Sequence, residues 1–124
     1  MKYAFWILLL FATACSKKNA TDKDYDAPVI VLNTPVDNQV YASGQNIAIN
    51  GTVTDNKYIQ QLHIVITNLA TGEEYLHVHI HPASSSFTFN QSYTPTQGVS
   101  YKIQVIADDP SANTFGKTVE VSCN

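Results

Sequence analysis

Leu76 to Pro82 reads Leu-His-Val-His-Ile-His-Pro, a strict two-residue alternation that a helix of 3.6 residues per turn cannot use. On a strand it sorts cleanly, because successive side chains point to opposite faces: Leu76, Val78 and Ile80 share one face, and His77, His79 and His81 share the other. The chain holds four histidines, so most of them form one row on a half-buried strand. Imidazole is the commonest protein metal ligand and titrates nearest neutral pH. The row is therefore the first candidate for chemistry.

The rest of the chain from Ala27 to Asn124 repeats the strand theme. Short runs of Val, Ile, Tyr, Phe and Thr alternate with Pro, Gly, Asn and Asp, and no stretch sustains a 3.6-residue period, which predicts an all-β domain. About seven antiparallel strands are expected, at Pro28–Asn33, Gln45–Val53, Ile59–Asn68, Glu73–His81, Ser86–Tyr93, Val99–Ala107 and Phe115–Cys123. Val40 and Tyr41 read as an irregular return, and Asp55-Asn56-Lys57 as a turn. Phe87, Phe89, Tyr101, Ile103, Val105, Ala107, Phe115, Val119 and Val121 face the expected core. A three-residue loop Ala70-Thr71-Gly72, with Gly72 left-handed, sets the register of the hairpin before it. His63 then faces His79, Val65 faces His77, Ile64 faces Val78, Leu62 faces Ile80 and Thr67 faces Tyr75. The apolar residues of both strands fall on one side, as a buried face demands.

The beginning of the chain has a different composition. Lys2 precedes an apolar run from Tyr3 to Phe11, small residues Ala12, Thr13 and Ala14 follow, and Cys15 closes the segment. The run is far shorter than the roughly 20 residues a spanning helix needs. It reads as a secretory signal, and it resembles a bacterial lipoprotein signal with its lipobox. That resemblance implies cleavage after Ala14, lipidation of Cys15 and attachment to the membrane through the lipid anchor. Ser16 in place of an acidic residue is similar to the pattern that directs lipoproteins to the outer membrane. Residues 15–26 are polar and read as a flexible tether, leaving 27–124 as the domain. With Cys15 lipidated, Cys123 is the only thiol. Its parity with Val119 and Val121 predicts a small buried side chain, with an intermolecular disulfide as the alternative.

Charge narrows the partners. Residues 27–124 carry three lysines against seven carboxylates, a net charge of −4, and there is no arginine. Nucleic-acid affinity rests on Lys and Arg contacts to phosphate, so this domain is unsuited to DNA or RNA. A protein or glycan partner remains open, with strand tyrosines Tyr41, Tyr58, Tyr75 and Tyr93 as stacking surfaces if they are exposed.

Ala27-Pro-Val-Ile30, the run Gly44 to Val53, Thr54-Asp-Asn56, Tyr101-Lys-Ile-Gln-Val-Ile-Ala-Asp-Asp109, Ser111-Ala-Asn113 and Thr118-Val-Glu-Val121 resemble bacterial Ig-like and cadherin-like domains. Together with the lipobox and the His-x-His strand, the chain is similar to small Ig-like lipoproteins of Gram-negative bacteria. The resemblance implies a Greek-key β-sandwich and an address in the cell envelope, and it implies no reaction.

Two sites follow from these readings. On the histidine face, residues two apart on a strand start about 6.6 to 6.8 Å apart and residues four apart about 13 Å, so His77 and His81 cannot share an ion unaided. His63 starts about 4.5 to 5.5 Å from His79 and roughly 7 to 8 Å from His77 and His81. The expected tripod is His63 and His79 with either His77 or His81, completed by water or Glu120. Imidazoles without thiolate suit Zn, Cu(II) or Ni. An open position would resemble a hydrolytic zinc site, but no carboxylate lies in a general-base motif, and the domain is expected not to be an enzyme. The alternative is a polar face that merely uses histidine. The second site is an acidic corner of Asp55, Asp108, Asp109 and Asn113, whose loops share one end of an Ig-like sandwich. Hard oxygens there suit calcium, while Asp, Asn and Pro also serve as ordinary turn formers.

Overall fold

The structure, a computed structural model, describes residues 22–124. The signal segment 1–14, Cys15 and the tether up to residue 21 lie outside the described residues. Eight strands follow in chain order: β1 Val29–Thr34, β2 Gln39–Tyr41, β3 Ile47–Ile59, β4 Gln61–Asn68, β5 Glu74–Ile80, β6 Ser84–Tyr93, β7 Ser100–Asp108 and β8 Thr114–Cys123. They form two sheets, β1-β3-β6 and β2-β8-β7-β4-β5, and the chain crosses between them at β1–β2, β2–β3, β3–β4, β5–β6 and β6–β7.

Alternation builds the core. Ile47, Ile49, Val53 and Phe89 point inward from the smaller sheet, and Leu62, Ile64, Ile66, Tyr101, Ile103, Val105, Ala107, Val119 and Val121 point inward from the larger one. Strand β7 shows the rule in its simplest form, with every second residue buried from Tyr101 to Ala107. Cys123 continues that parity on β8 and is 1% exposed, as a small apolar residue would be. Gly51 makes the smaller sheet possible. A Cβ there would lie 2.1 Å from the Val31 carbonyl oxygen and 2.8 Å from Phe89 Cζ, so any side chain would push β1 away and displace the Phe89 ring.

Four expectations need correction. The return through Val40 and Tyr41 is an eighth strand, β2, which pairs with β8 in parallel register, so the sandwich is not wholly antiparallel. Asp55-Asn56-Lys57 is not a terminating turn but an irregular stretch inside β3, where pairing with β6 skips from Thr54 to Ile59. Phe115 is 42% exposed, because β8 enters the core only from Val119 onward. Thr67 faces Glu74 rather than Tyr75, since the ladder shifts between Ile66 and Thr67.

The remaining hairpin register stands as expected, with His63 opposite His79, Val65 opposite His77 and Leu62 opposite Ile80. Gly72 is left-handed at φ 75°, and its N–H donates to the Asn68 carbonyl at 2.8 Å. Strand β5 is the outer edge of the larger sheet, which leaves its histidine row facing solvent.

Candidate functional site

Two clusters of ligating side chains stand out. The first lies at the end of the sandwich where the irregular stretch of β3, the β7–β8 loop and the segment preceding β1 meet. Asp24, Asp55 and Asp109 each offer a carboxylate oxygen within 4.8 Å of the others. Asp109 is 2% exposed and Asp24 6%. The chain builds this corner through tight turns: Asp109 Oδ1 accepts from the Ser111 and Asn113 N–H groups at 2.8 and 2.9 Å, and Asp55 Oδ1 accepts from the Lys57 and Tyr58 N–H groups at 2.8 and 2.7 Å. These are side-chain turns of the kind Asp favours, and each fixes a carboxylate in place.

Two amides tie the N-terminal segment into that frame. Asn113 Nδ2 donates to Asp109 Oδ2 at 2.7 Å and to the Asp24 carbonyl at 3.0 Å. Asn56 Nδ2 donates to Asp24 Oδ1 at 3.0 Å. Asp26 N–H also donates to Asp24 Oδ1, at 3.1 Å. The Asn56 amide first, and the Asp26 N–H second, hold the Asp24 carboxyl below its ordinary value, so it is ionised at neutral pH. Asp55 Oδ2 is buried without a hydrogen-bond partner. Lys57, the nearby cation, spends its ammonium on the Asp22 carbonyl at 3.3 Å and bonds no carboxylate of the corner.

Asp24 is the residue that composition concealed. It lies in the stretch read as tether, yet it packs against loops far along the chain. Its signal in the sequence is the spacing Asp22-Lys-Asp24-Tyr-Asp26 just before Pro28, three acidic residues at every second position. Asp108, by contrast, does not join the corner. It pairs with Gln61 and falls on the outer face, where its carboxylate acts on His63. A one-residue step separates the parities of Asp108 and Asp109.

The second cluster is the histidine face. Its closest nitrogens belong to a diagonal pair, His63 Nδ1 and His77 Nε2, 2.9 Å apart. The directly opposed pair behaves differently: the His63 and His79 rings stack, with centroids 4.2 Å apart and planes 18° from parallel. Side chains opposite each other leave the sheet side by side and meet face to face, so their nitrogens do not converge. His79 and His81 lie 4.5 Å apart at their centroids. Among the described residues, the acidic corner is the only place where three ligand atoms already lie within 4.8 Å of each other, so the expected His63/His79 tripod is not assembled. Glu120 is remote from it, standing opposite Lys102 on β7, whereas His63 pairs with Ile106. Burial, and then the His79 and His77 rings, lower the pKa of His63, against a smaller opposing effect of Asp108.

Of the strand tyrosines, Tyr58 and Tyr75 are exposed. Tyr41 and Tyr101 are buried, and Tyr75 and Tyr93 pack on Tyr101 with centroids 5.8 and 5.5 Å away.

The two-sheet architecture places this protein in the class of Ig-like, fibronectin-III-like β-sandwiches. The fibronectin(III)-like modules of Clostridium thermocellum CbhA are similar at 14% identity, covering 77% of this chain and 94% of that one with a TM-score of 0.50. The CARDB domain of the PF1109 protein from Pyrococcus furiosus, solved in complex with di-metal ions, is similar at 17% identity, 82% and 99% coverage and a TM-score of 0.51. The superoxide reductase (neelaredoxin) from Ignicoccus hospitalis is similar at 13% identity, 80% and 81% coverage and a TM-score of 0.52. At such identities the likeness is one of fold. More particularly, residues 13–117 match the family described as Domain of unknown function (DUF4625), and the chain belongs to that family. No curated protein matches the chain.

Proposed function

We propose that this protein is a non-enzymatic binding module of the cell envelope, anchored to the outer membrane by lipid at Cys15 and braced by a calcium ion where its tether joins the sandwich. The observation that carries the reading is the convergence of Asp24, Asp55 and Asp109 with a buried, unpartnered carboxylate oxygen on Asp55. Like charges held this close and this far from water are stable only with a proton or a cation between them. The hydrogen bonds from Asn56 and Asp26 keep Asp24 ionised, which favours the cation. Carboxylate oxygens with backbone carbonyls close by are the ligands calcium prefers over softer ions. The architecture tolerates bound cations, as the di-metal complex of the similar CARDB domain illustrates.

The brace has a mechanical consequence. Asp24 belongs to the segment that leads from the anchor, while Asp55 and Asp109 belong to the domain. An ion bound to all of them would couple the direction of the sandwich to its attachment, so the module would stand off the membrane in a fixed pose. A protein or glycan partner is then met by the sheet faces and far loops.

The test compares melting in calcium and in chelator. Extracellular modules bind calcium at about 10⁻⁴ to 10⁻³ M; at about 2 mM Ca²⁺, binding to the folded state alone adds roughly 0.7 to 1.8 kcal/mol. For a domain of this size that raises the melting temperature by about 3 to 14 °C. Asp24→Asn and Asp109→Asn should each abolish the rise. An identical melting temperature with and without millimolar Ca²⁺ would remove the brace.

A further inference from the structure

We propose that the outer face of β4 and β5 is a second and chemically distinct site, one that takes a divalent transition metal ion such as Zn²⁺, Ni²⁺ or Cu²⁺ between His63 Nδ1 and His77 Nε2. The positions of the ring protons decide what this pair can bind. A neutral imidazole has one N–H and one lone pair, and its hydrogen-bond partners decide which nitrogen carries which. His63 Nε2 lies 3.2 Å from Gln61 Oε1. His77 Nδ1 lies 3.5 Å from a carboxylate oxygen of Glu74. His81 Nδ1 lies 3.2 Å from the Gln60 backbone carbonyl. The Gln61 and Gln60 oxygens accept and draw the ring protons of His63 and His81 to the nitrogens that face them, and the Glu74 carboxylate, at ion-pair distance from His77 Nδ1, favours a proton there too.

Satisfying those outer contacts leaves lone pairs on the inner nitrogens. For His63 and His77 these inner nitrogens are the ones 2.9 Å apart. Two lone pairs at that distance repel unless a proton or a metal ion stands between them. In the metal-free protein the other neutral tautomer of His77 supplies that proton as an Nε2–H···Nδ1 hydrogen bond, and a metal ion that binds takes the proton's place. A metal ion accepts both lone pairs while every ring stays neutral. With metal–nitrogen bonds of about 2.0 to 2.1 Å, two imidazole nitrogens on one ion sit roughly 2.9 Å apart at a right angle and roughly 3.3 Å apart at a tetrahedral angle. The observed separation lies at the start of that range.

The surroundings support the same assignment. Metal-bound histidines characteristically pass their other N–H to a carboxylate or a carbonyl oxygen, which fixes the ring; Gln61 is placed to do this for His63, and a Glu74 carboxylate oxygen stands 3.5 Å from His77 Nδ1. The edge position of β5 gives an ion direct access from solvent. His79 and His81 bring two further imidazoles to the same patch. Nitrogen ligands without thiolate select borderline divalent metals over calcium and magnesium, so this face and the acidic corner would sort different ions.

The experiment is a Zn²⁺ titration by calorimetry, using the full chain without a polyhistidine tag at pH 7.5, with 2 mM CaCl₂ present throughout to occupy the carboxylates. The expected result is saturable uptake of about one Zn²⁺ per chain. His63→Gln and His77→Gln should each weaken it at least ten-fold, and Asp109→Asn should leave it unchanged. Ring ¹⁵N spectra should show Zn²⁺ shifting His63 Nδ1 and His77 Nε2, with the ring protons on His63 Nε2 and His77 Nδ1 in the complex. His77 is exposed and His63 half-buried, and melting curves confirm that both variants fold. Absence of saturable uptake, equal affinity in either variant, or ¹⁵N shifts confined to other rings would each overturn the proposal.

Discussion

Asn113 contributes more to the acidic corner than its size suggests. One amide nitrogen reaches a carboxylate of the β7–β8 loop and a carbonyl of the N-terminal segment, so its removal leaves buried acceptors unpaired on both sides. Asn113→Ala should cost roughly 1 to 3 kcal/mol, read as a lower urea midpoint; an unchanged midpoint would contradict the corner as drawn. Gly51 tests packing rather than polarity. With the Val31 carbonyl oxygen 2.1 Å from its missing Cβ, Gly51→Ala should destabilise by about 1 to 3 kcal/mol, the usual cost of overpacking, and a neutral substitution would show that β1 yields easily. At this scale the sequence was legible for residues that alternate and illegible for those that reach across the chain. Asp109 and Asn113 announced themselves as turn residues next to each other. Asp24 did not, because a polar window looks like tether until its partners, 32 and 89 residues away, are in place.

The hairpin of β4 and β5 shows what a pattern can and cannot carry at the level of elements. Apolar alternation on both strands, with Gly72 at the turn, left one register that keeps Leu62, Ile64, Val78 and Ile80 together, and His63 stands opposite His79 as that register requires. The shift at Thr67 had no signal in the alternation, since it adds a residue beyond the last buried pair. Alternation also decides faces and not rotamers, which is why the convergent nitrogens belong to the diagonal His63/His77 pair. The face has a pH signature. The pKa of His63 is lower in the folded protein than its ordinary value of 6.5, so the unfolded chain binds the proton first. Stability is therefore complete above about pH 6.5 and declines as the pH falls from there toward the folded-state value. Urea midpoints measured from pH 7.5 down to 5 should fall, and His63→Gln should flatten that limb; a limb unaffected by the substitution would place the titration elsewhere.

For the molecule as a whole, the two-sheet class was readable from strand lengths and turn residues, while the parallel pairing of β2 with β8 was not, because a three-residue strand with one buried side chain carries no periodicity. Among the described residues the one thiol is Cys123. Cys123 is closed off by the core, so thiol reagents should label it only after unfolding, and rapid labelling of native protein would point to an open C-terminal edge. The proposed lipid attachment is tested on the whole chain as well: Cys15→Ala should move the protein from the membrane to the soluble fraction, and continued membrane retention would contradict the anchor. The central claim, that a cation joins Asp24 to the sandwich, is tested most directly by calorimetric titration of the full chain with Ca²⁺. About one ion should bind per chain, with the heat lost in Asp24→Asn. Calcium uptake that survives that substitution, or no uptake at millimolar ion, would contradict it.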